Sequence, residues 1–240
     1  MKAIITFHSI DNSGSVLSYP PKAFSCFMEA LQESDLPVLG LDDLLQANTK
    51  RGIAITFDDG MRSLHKDALP ILRDHAAPAH LYLTTGAVGN TNRWPTQPGG
   101  APVFDMLSWD EIEQLHGAGV SIESHTHSHP DMRDLDNAAM EQECETADTL
   151  IEKRIGRRPG YFAYPYGYRN EQACDFVRRR YKAAVTTELG TLDGKEDSAK
   201  LPRLDSYYLR AGWMQRNLDS SLSRAYLSLR GWLRILRGTQ

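Results

Sequence analysis

The sequence predicts an α/β fold in which βα units surround a parallel sheet. Short apolar runs alternate along the chain with longer stretches of helical periodicity, which is the pattern of repeated βα units. The chain also has 240 residues and 41% hydrophobic content, enough to bury one substantial core, and single α/β barrels commonly have this size. We therefore expect one domain that covers residues 1–240.

The apolar runs are predicted to be strands, and the helical patterns lie between them. Strands are predicted at 3–7, 53–57, 79–84, 120–123, 161–163, 183–186 and 201–204. Helices are predicted at 22–33, 63–75, 109–116, 137–155 and 171–180, and several follow a Ser, Asp or Pro start signal. The segment 89–102 is rich in Gly, Pro, Asn and Thr, and is predicted to be either one wall of a substrate cleft or a solvent loop that packs Trp94.

Composition excludes several classes of protein. A net charge of -4 and a pI near 6.1 give no basic face for nucleic acid. Three cysteines, Cys26, Cys144 and Cys174, have no close spacing, so neither a disulfide framework nor a thiolate zinc site is indicated. The apolar run at residues 3–7 is too short for a signal peptide or a membrane span, which predicts a cytoplasmic protein if Met1 is the native start.

Two motifs together predict a metal site. TFDDG at residues 56–60 places two carboxylates after an apolar strand, and HTHSHP at 125–130 supplies histidines spaced i,i+4. Asp59, His125 and His129 can bind a divalent ion and leave a position open for water, while Asp58 remains free as a general base. Taken alone, Asp-Asp-Gly is also ordinary turn chemistry, and a lone histidine is more often structural. His127 points away from the ion in this arrangement.

Two further strand ends carry candidate catalytic groups, because active sites of parallel barrels gather at the carboxyl ends of strands. His8 follows the first strand and is the candidate general acid, with a structural role as the alternative. The backbone N–H of Tyr166, in a turn shaped by Pro165 and Gly167, could face an oxyanion, or the turn could be an aromatic loop packed on the core.

Four motifs in order along the chain resemble those of the polysaccharide deacetylases of carbohydrate esterase family four: ITFHSI at 5–10, TFDDG at 56–60, SHTHSHP at 124–130 and FAYPYG at 162–167. The resemblance implies a distorted (β/α)7 barrel that removes N-acetyl groups from amino sugars with a bound divalent ion, often zinc, cobalt or nickel. It implies that Asp58 is the base, that Asp59, His125 and His129 are metal ligands, and that Tyr166 offers its amide to the oxyanion.

The chain departs from the family pattern at two places. Ala163 stands where the third motif usually has an arginine that orients the base, and we expect Arg203 in the last strand to replace it. The usual C-terminal Leu-x-His motif, which carries the general acid, is missing. This resembles the permuted branch of poly-N-acetylglucosamine deacetylases, in which an N-terminal aromatic-His motif supplies the acid, and it supports His8 in that role.

The C-terminal segment is predicted to be an amphipathic basic helix at about 214–237. Apolar residues recur at helical spacing from 216 to 237, with arginines among them. The apolar stripe is expected to cover the barrel, and the alternative is docking on a membrane surface, which would suit a lipid-linked saccharide at the inner face of the membrane.

The sequence thus predicts a metal-dependent hydrolase that releases acetate from an N-acetylated saccharide. One alternative is a non-catalytic, metal-containing saccharide-binding protein, supported by Ala163. Another is a metal amidase that acts on an N-formyl or other N-acyl substrate.

Overall fold

The computed structural model describes residues 1–236 and shows a closed barrel of seven parallel strands in sequence order. The strands are β1 (Lys2–Phe7), β2 (Gly52–Asp59), β3 (Ala79–Leu83), β4 (Val120–Ser124), β5 (Tyr161–Ala163), β6 (Ala183–Leu189) and β7 (Leu201–Asp205). The predicted (β/α)7 barrel is confirmed. The barrel is uneven, because β4 and β5 pair only at Ser124 and Phe162, and β6 shifts register against β7.

Helices surround the barrel. They are α1 (Pro21–Glu33), α2 (Leu41–Leu44), α3 (Leu69–Asp74), α4 (Trp109–Gly117), α5 (Asn137–Ile155), α6 (Glu171–Arg180), α7 (Gly212–Arg216) and α8 (Ser221–Leu236). Short 3-10 turns lie at Thr85–Ala87, Met132–Asp134, Pro165–Gly167 and Ser206–Leu209, and a π-helical turn lies at Leu64–Ala68.

Local sequence signals fix several helix ends. Ser108 and Glu111 form a capping box at the start of α4, and the Asp136 carboxylate accepts from the Ala139 N–H at the start of α5. Gly156 ends α5 in the left-handed conformation, with φ 79°. These signals explain why α5 was predicted with correct ends.

Two predicted helices differ from the structure. The helix predicted at 63–75 begins as the π-helical turn, because Pro70 has no N–H to donate to the carbonyl of Lys66. The helix predicted at about 214–237 is two helices, and its predicted end at 237 lies outside the described residues. The break follows from capping, since Asn217 donates to the Trp213 carbonyl and the Ser220 hydroxyl accepts from the Ser223 N–H.

Alternation along the strands separates two buried regions. In β2, Ile53, Ile55 and Phe57 pack in the layer between barrel and helices, while Ala54 belongs to the cluster inside the barrel. Leu41 and Leu44 of α2 join the inner cluster. The same period of two turns Asp58 inward at the carboxyl end of β2, and this end of the barrel carries the candidate site.

The apolar stripe of the C-terminal helix is only partly covered by the barrel. Leu218 and Leu227 are buried, whereas Leu222, Leu229 and Trp232 are 69%, 54% and 58% exposed. Within the described residues, no helix is both long and apolar enough to cross a membrane.

Candidate active site

The carboxyl rim of the barrel brings the predicted site residues together. Asp58 and Asp59 end β2, His8 follows β1, His125 follows β4, and Tyr166 follows β5. With His129, these side chains line one cavity of about 430 Å³. Arg203 of β7 lies beneath the cavity and contacts Asp58. Residues as far apart in the sequence as His8 and Tyr166 therefore line one pocket.

Three of these side chains have the geometry of a metal site. The Asp59 Oδ1 atom lies 3.3 Å from His125 Nε2 and 3.4 Å from His129 Nε2. All three residues are buried, and their ligand atoms lie within 4.8 Å of one another. Ligands at about 2.05 Å from a tetrahedral ion are about 3.3 Å apart, so the spacing suits a small divalent ion better than direct hydrogen bonds. One carboxylate and two imidazoles match the donor set that zinc, cobalt and nickel accept.

The protonation of the ligands suits metal binding. His125 Nδ1 lies 2.8 Å from the Ala163 carbonyl, so Nδ1 must carry the proton that it donates to this oxygen. The other ring nitrogen, Nε2, then has a free lone pair that can bind an ion. Burial raises the pKa of Asp59, but the imidazoles of His125 and His129 beside the carboxylate more than offset it and hold that pKa well below its usual value. The carboxylate is therefore ionised, as a ligand must be.

His129 is held by its surroundings on several sides. Its ring stacks on Trp94 with centroids 4.2 Å apart and meets the edge of Tyr166 at 4.4 Å. Its N–H donates to the Thr126 hydroxyl, and its carbonyl accepts from the Thr96 hydroxyl at 2.6 Å. These contacts fix the ring orientation even though, among the described residues, His129 Nδ1 has no hydrogen-bond partner.

Arg203 holds Asp58 through two hydrogen bonds. Its guanidinium donates to Asp58 Oδ1 at 2.7 Å and to Oδ2 at 2.6 Å, and its Nε donates to the Thr186 carbonyl. Burial raises the pKa of Asp58, but the charge and hydrogen bonds of Arg203 more than offset this, and the pKa lies below its usual value. The structure thus places an arginine against Asp58 although position 163 is alanine.

His8 also lies close to Asp58 and lines the cavity. Its Nε2 atom is 4.0 Å from Asp58 Oδ2, and a quarter of its side chain is exposed. It therefore faces both the carboxylate and the cavity, where it can exchange a proton with a bound molecule.

The turn after β5, which lines the cavity through Tyr166, has a strained backbone. Tyr166 has φ 58°, and Gly167 follows with φ 74°. A Cβ at Gly167 would lie 2.1 Å from the Thr187 hydroxyl oxygen, so only glycine fits there. The Tyr166 hydroxyl accepts from Trp94 Nε1 at 2.8 Å and donates to the Thr96 carbonyl at 2.9 Å, which ties segment 89–102 to this turn.

Positive φ angles concentrate at the site. Of the six non-glycine residues with positive φ in the described chain, four belong to the three motif segments around the cavity. They are Asp59 at 73°, Thr126 at 67°, His129 at 57° and Tyr166 at 58°. Clustering of uncommon backbone conformations is typical of functional sites.

Sequence reasoning missed Glu143, which braces the loop between the two histidine ligands. Its carboxylate accepts from the N–H groups of His127 and Ser128 at 3.0 and 2.8 Å, and from the Ser128 hydroxyl at 2.7 Å. Glu143 lies on α5, whose largely polar sequence gives no signal for this contact. As predicted, His127 points away from the ligand atoms, since its Nδ1 bonds the Thr85 hydroxyl at 2.9 Å.

Comparison with known proteins agrees with this geometry. The chain is 25% identical over 222 residues to the poly-beta-1,6-N-acetyl-D-glucosamine N-deacetylase of Staphylococcus aureus (strain MRSA252). This alignment covers 85% of this chain and 70% of that protein. The fold matches the Streptococcus pyogenes deacetylase PplD in complex with acetate, with TM-score 0.72, 22% identity and coverage of 85% and 91%. It also matches IcaB from Ammonifex degensii, with TM-score 0.73, 18% identity and coverage of 89% and 96%.

A family model described as polysaccharide deacetylase matches residues 46–182, which is more than half of the chain. The match includes both motifs of the Asp-His-His cluster and the turn at Tyr166. It confirms the resemblance inferred from the motifs: the chain belongs to the polysaccharide deacetylase family.

Proposed function

We propose that the protein is a metal-dependent N-deacetylase that hydrolyses the acetamide of an N-acetylated amino sugar and releases acetate. The observation that carries this proposal is the cluster of Asp59, His125 and His129 beside an arginine-bound Asp58 in one cavity. A hydrolase of this kind needs three protein ligands that leave a position for water, and a separate base; Asp59, His125 and His129 would hold the ion, and Asp58 would be the base. The activity named for the Staphylococcus aureus relative supports the same bond and substrate class.

Each group at the rim has one task in this proposal. When bound, a divalent ion supplies a Lewis acid and lowers the pKa of a water ligand. Asp58 accepts the proton of the attacking water, with Arg203 fixing the direction of its carboxylate. The Tyr166 N–H donates a hydrogen bond to the oxyanion, and His8 gives a proton to the leaving amine nitrogen. Asp58 and His8 lie on one side of the cavity, so a single substrate pose can reach both.

The cavity itself supports a sugar substrate. Its wall includes the aromatic side chains of Trp94, Tyr164 and Tyr166, and its volume of about 430 Å³ can hold one amino sugar residue. Asp58 and Asp59 are its acidic lining residues; Asp58 pairs with Arg203, and Asp59 is a proposed metal ligand. A neutral acetamide therefore meets no unpaired negative charge in the cavity.

The identity of the ion is proposed from the ligand set. Two imidazoles and a carboxylate favour zinc, with cobalt or nickel as substitutes. Removing metal with a chelator should abolish acetate release, and adding back each ion separately should rank the three. Activity that survives complete removal of metal would contradict metal dependence.

The main experiment measures acetate release from N-acetylglucosamine oligomers by protein reconstituted with metal, with Asp58→Asn as control. Acetate from the wild type and not from the variant supports the deacetylase and the base. Saturable saccharide binding without acetate release would favour a binding protein. Ala163 was the support for that alternative, and this support is lost because Arg203 contacts Asp58. Release of formate from an N-formyl substrate in place of acetate favours the other amidase.

We further propose peripheral contact with a membrane through α8, which would suit a lipid-linked saccharide. Leu222, Leu229 and Trp232 are exposed, and the same helix carries Arg224, which pairs with Asp219 and keeps 55% of its side chain exposed to anionic headgroups. Vesicles containing anionic lipid should retain the wild type more than a Leu222→Ser, Leu229→Ser, Trp232→Ser variant. Equal retention would refute membrane contact. A cytoplasmic location stays a prediction, which cell fractionation can test.

A further inference from the structure

The β1–α1 loop, residues 8–20, forms part of the wall of the cavity that contains the metal ligands. Val16 and Leu17 line this cavity, and so does His8 at the start of the loop. The Val16 side chain is 72% exposed, so this part of the loop lies at the mouth of the cavity. The shape of the mouth therefore depends on the contacts that hold the loop.

The loop folds back on its own beginning. The Ser9 N–H donates to the Leu17 carbonyl at 3.0 Å, and the Tyr19 N–H donates to the Ser9 carbonyl at 2.8 Å. Between these two stretches, the Asp11 carboxylate accepts from the hydroxyls of Ser9 and Ser18. The start of the loop and the part that lines the cavity are thus bonded to each other, so a displacement of one is transmitted to the other.

Arg210 holds the same loop from outside. Its Nη2 atom donates to the carbonyl oxygens of Ser15, Val16 and Ser18, at 3.0, 3.2 and 2.5 Å. Its guanidinium also lies over the Tyr207 ring, 4.9 Å from the centroid, which fixes its direction. Arg210 is half-buried and follows the 3-10 turn after β7, so the last part of the chain reaches across to the loop after the first strand. Hydrogen bonds from a charged donor are stronger than those between neutral groups.

We propose that Arg210 is a positioning residue that holds the β1–α1 loop at the mouth of the cavity and thereby favours substrate binding. The proposal rests on the deacetylase function proposed above. It adds a residue that lies outside the four motifs and outside the span 46–182 matched by the family model. Arg210 acts through Val16 and Leu17, which line the cavity. Without Arg210, a substrate would have to order these two side chains on binding, which weakens binding and leaves the chemical step intact.

The first test measures kcat and KM for acetate release from N-acetylglucosamine oligomers by the metal-loaded enzyme. Arg210→Ala should raise KM roughly tenfold, the cost of ordering one or two side chains, with kcat unchanged. Arg210→Lys keeps the positive charge but lacks the planar guanidinium, and should recover part of the loss in KM. Arg216→Ala removes an exposed arginine of α7 and is the matched control, which should change neither constant.

The second test measures amide hydrogen exchange of the metal-loaded protein without substrate. The Ser18 N–H donates to the Ser15 carbonyl at 3.1 Å, and the Tyr19 N–H bonds within the loop as described above. In Arg210→Ala these two amides should exchange at least roughly tenfold faster than in the wild type, because the loop has lost its charged donor. The amides of β1 and β2 should exchange at the wild-type rate.

The outcomes separate this role from a general contribution to folding. If β1 and β2 exchange faster by the same factor as the loop, Arg210 supports the whole fold and the positioning role is refuted. An unchanged KM in Arg210→Ala also refutes it, even where the loop exchanges faster, and so does a loss of kcat at constant KM. If the wild type releases no acetate, the proposed function is wrong, and exchange alone decides whether Arg210 holds the loop.

Discussion

The ion pair of Arg203 and Asp58 allows a quantitative test of how Asp58, the proposed base, is kept ionised. Their side chains are 1% and 5% exposed. Arg203→Met keeps a side chain of similar length but removes the guanidinium, which leaves a buried carboxylate unpaired. Removing one partner of a buried pair costs about 3–5 kcal/mol. We expect the free energy of unfolding of the metal-free variant to fall by about this amount at pH 7.

The effect should depend on pH with a defined sign. In the wild type the pKa of Asp58 is lowered, so the pair adds stability above the unfolded pKa of about 3.9, and this stability is lost as pH falls toward the folded value. In Arg203→Met, burial is no longer offset and the pKa of Asp58 should rise above its unfolded value. Protonation then relieves the buried charge. The difference in stability between the two proteins should therefore begin to shrink as pH falls through the raised pKa of Asp58 in the variant, and should go on shrinking below about pH 4, where the wild type loses its own contribution.

Urea denaturation followed by circular dichroism, in the presence of a chelator, measures these free energies. Asp58→Asn combined with Arg203→Met is the control, since it removes both charges and should recover most of the loss. A loss below about 1 kcal/mol in the single variant, the range of exposed ion pairs, would contradict the argument. So would a double variant that is no more stable than Arg203→Met.

Three further predictions follow from the contacts around the cavity. Glu143→Ala should weaken zinc binding roughly 10- to 100-fold in a chelator competition, because the loop carrying two ligands loses its brace, whereas Glu141→Ala on the same helix should not. His8→Asn should lower kcat by about 10²- to 10⁴-fold with zinc affinity unchanged, and an unchanged kcat would exclude His8 as the acid. Gly167→Ala should lower the free energy of unfolding by about 1–3 kcal/mol, and a smaller loss is expected for Gly194→Ala, which has positive φ but open space around it.

Much of the fold could be predicted from local patterns. The apolar runs coincide with the seven strands because a strand that is buried on both faces consists largely of consecutive apolar residues. Capping residues mark both ends of α5 and the start of α6, and the predicted bounds agree with the structure there. The π-helical turn at Leu64–Ala68 was missed because helical periodicity depends on the spacing of apolar residues and is not affected by the missing N–H of Pro70. The break before α8 depends on side chains that bond nearby backbone groups, which periodicity also overlooks.

The candidate site also has features that could be predicted from the sequence and features that could not. The clustering of Asp59, His125 and His129 was predictable because short motifs carry all three ligands and strand ends fix their place. The partner of Asp58 could be named only because this chain has Ala163 where the family pattern has an arginine, since nothing local links positions 58 and 203. The contact of Glu143 with the histidine loop could not be predicted from the sequence, because its partners include backbone N–H groups, which almost every residue has.

The left-handed residues around the cavity imply a conflict between selection for stability and selection for activity. Glycine or asparagine at Asp59, His129 or Tyr166 would adopt the same backbone conformation at lower cost, of the order of 1 kcal/mol for each position. At Asp59 and His129 such replacements would remove proposed metal ligands. A screen that rewards only thermal stability should therefore accumulate changes at these positions, and the most stable variants should be those that have lost the ability to bind metal.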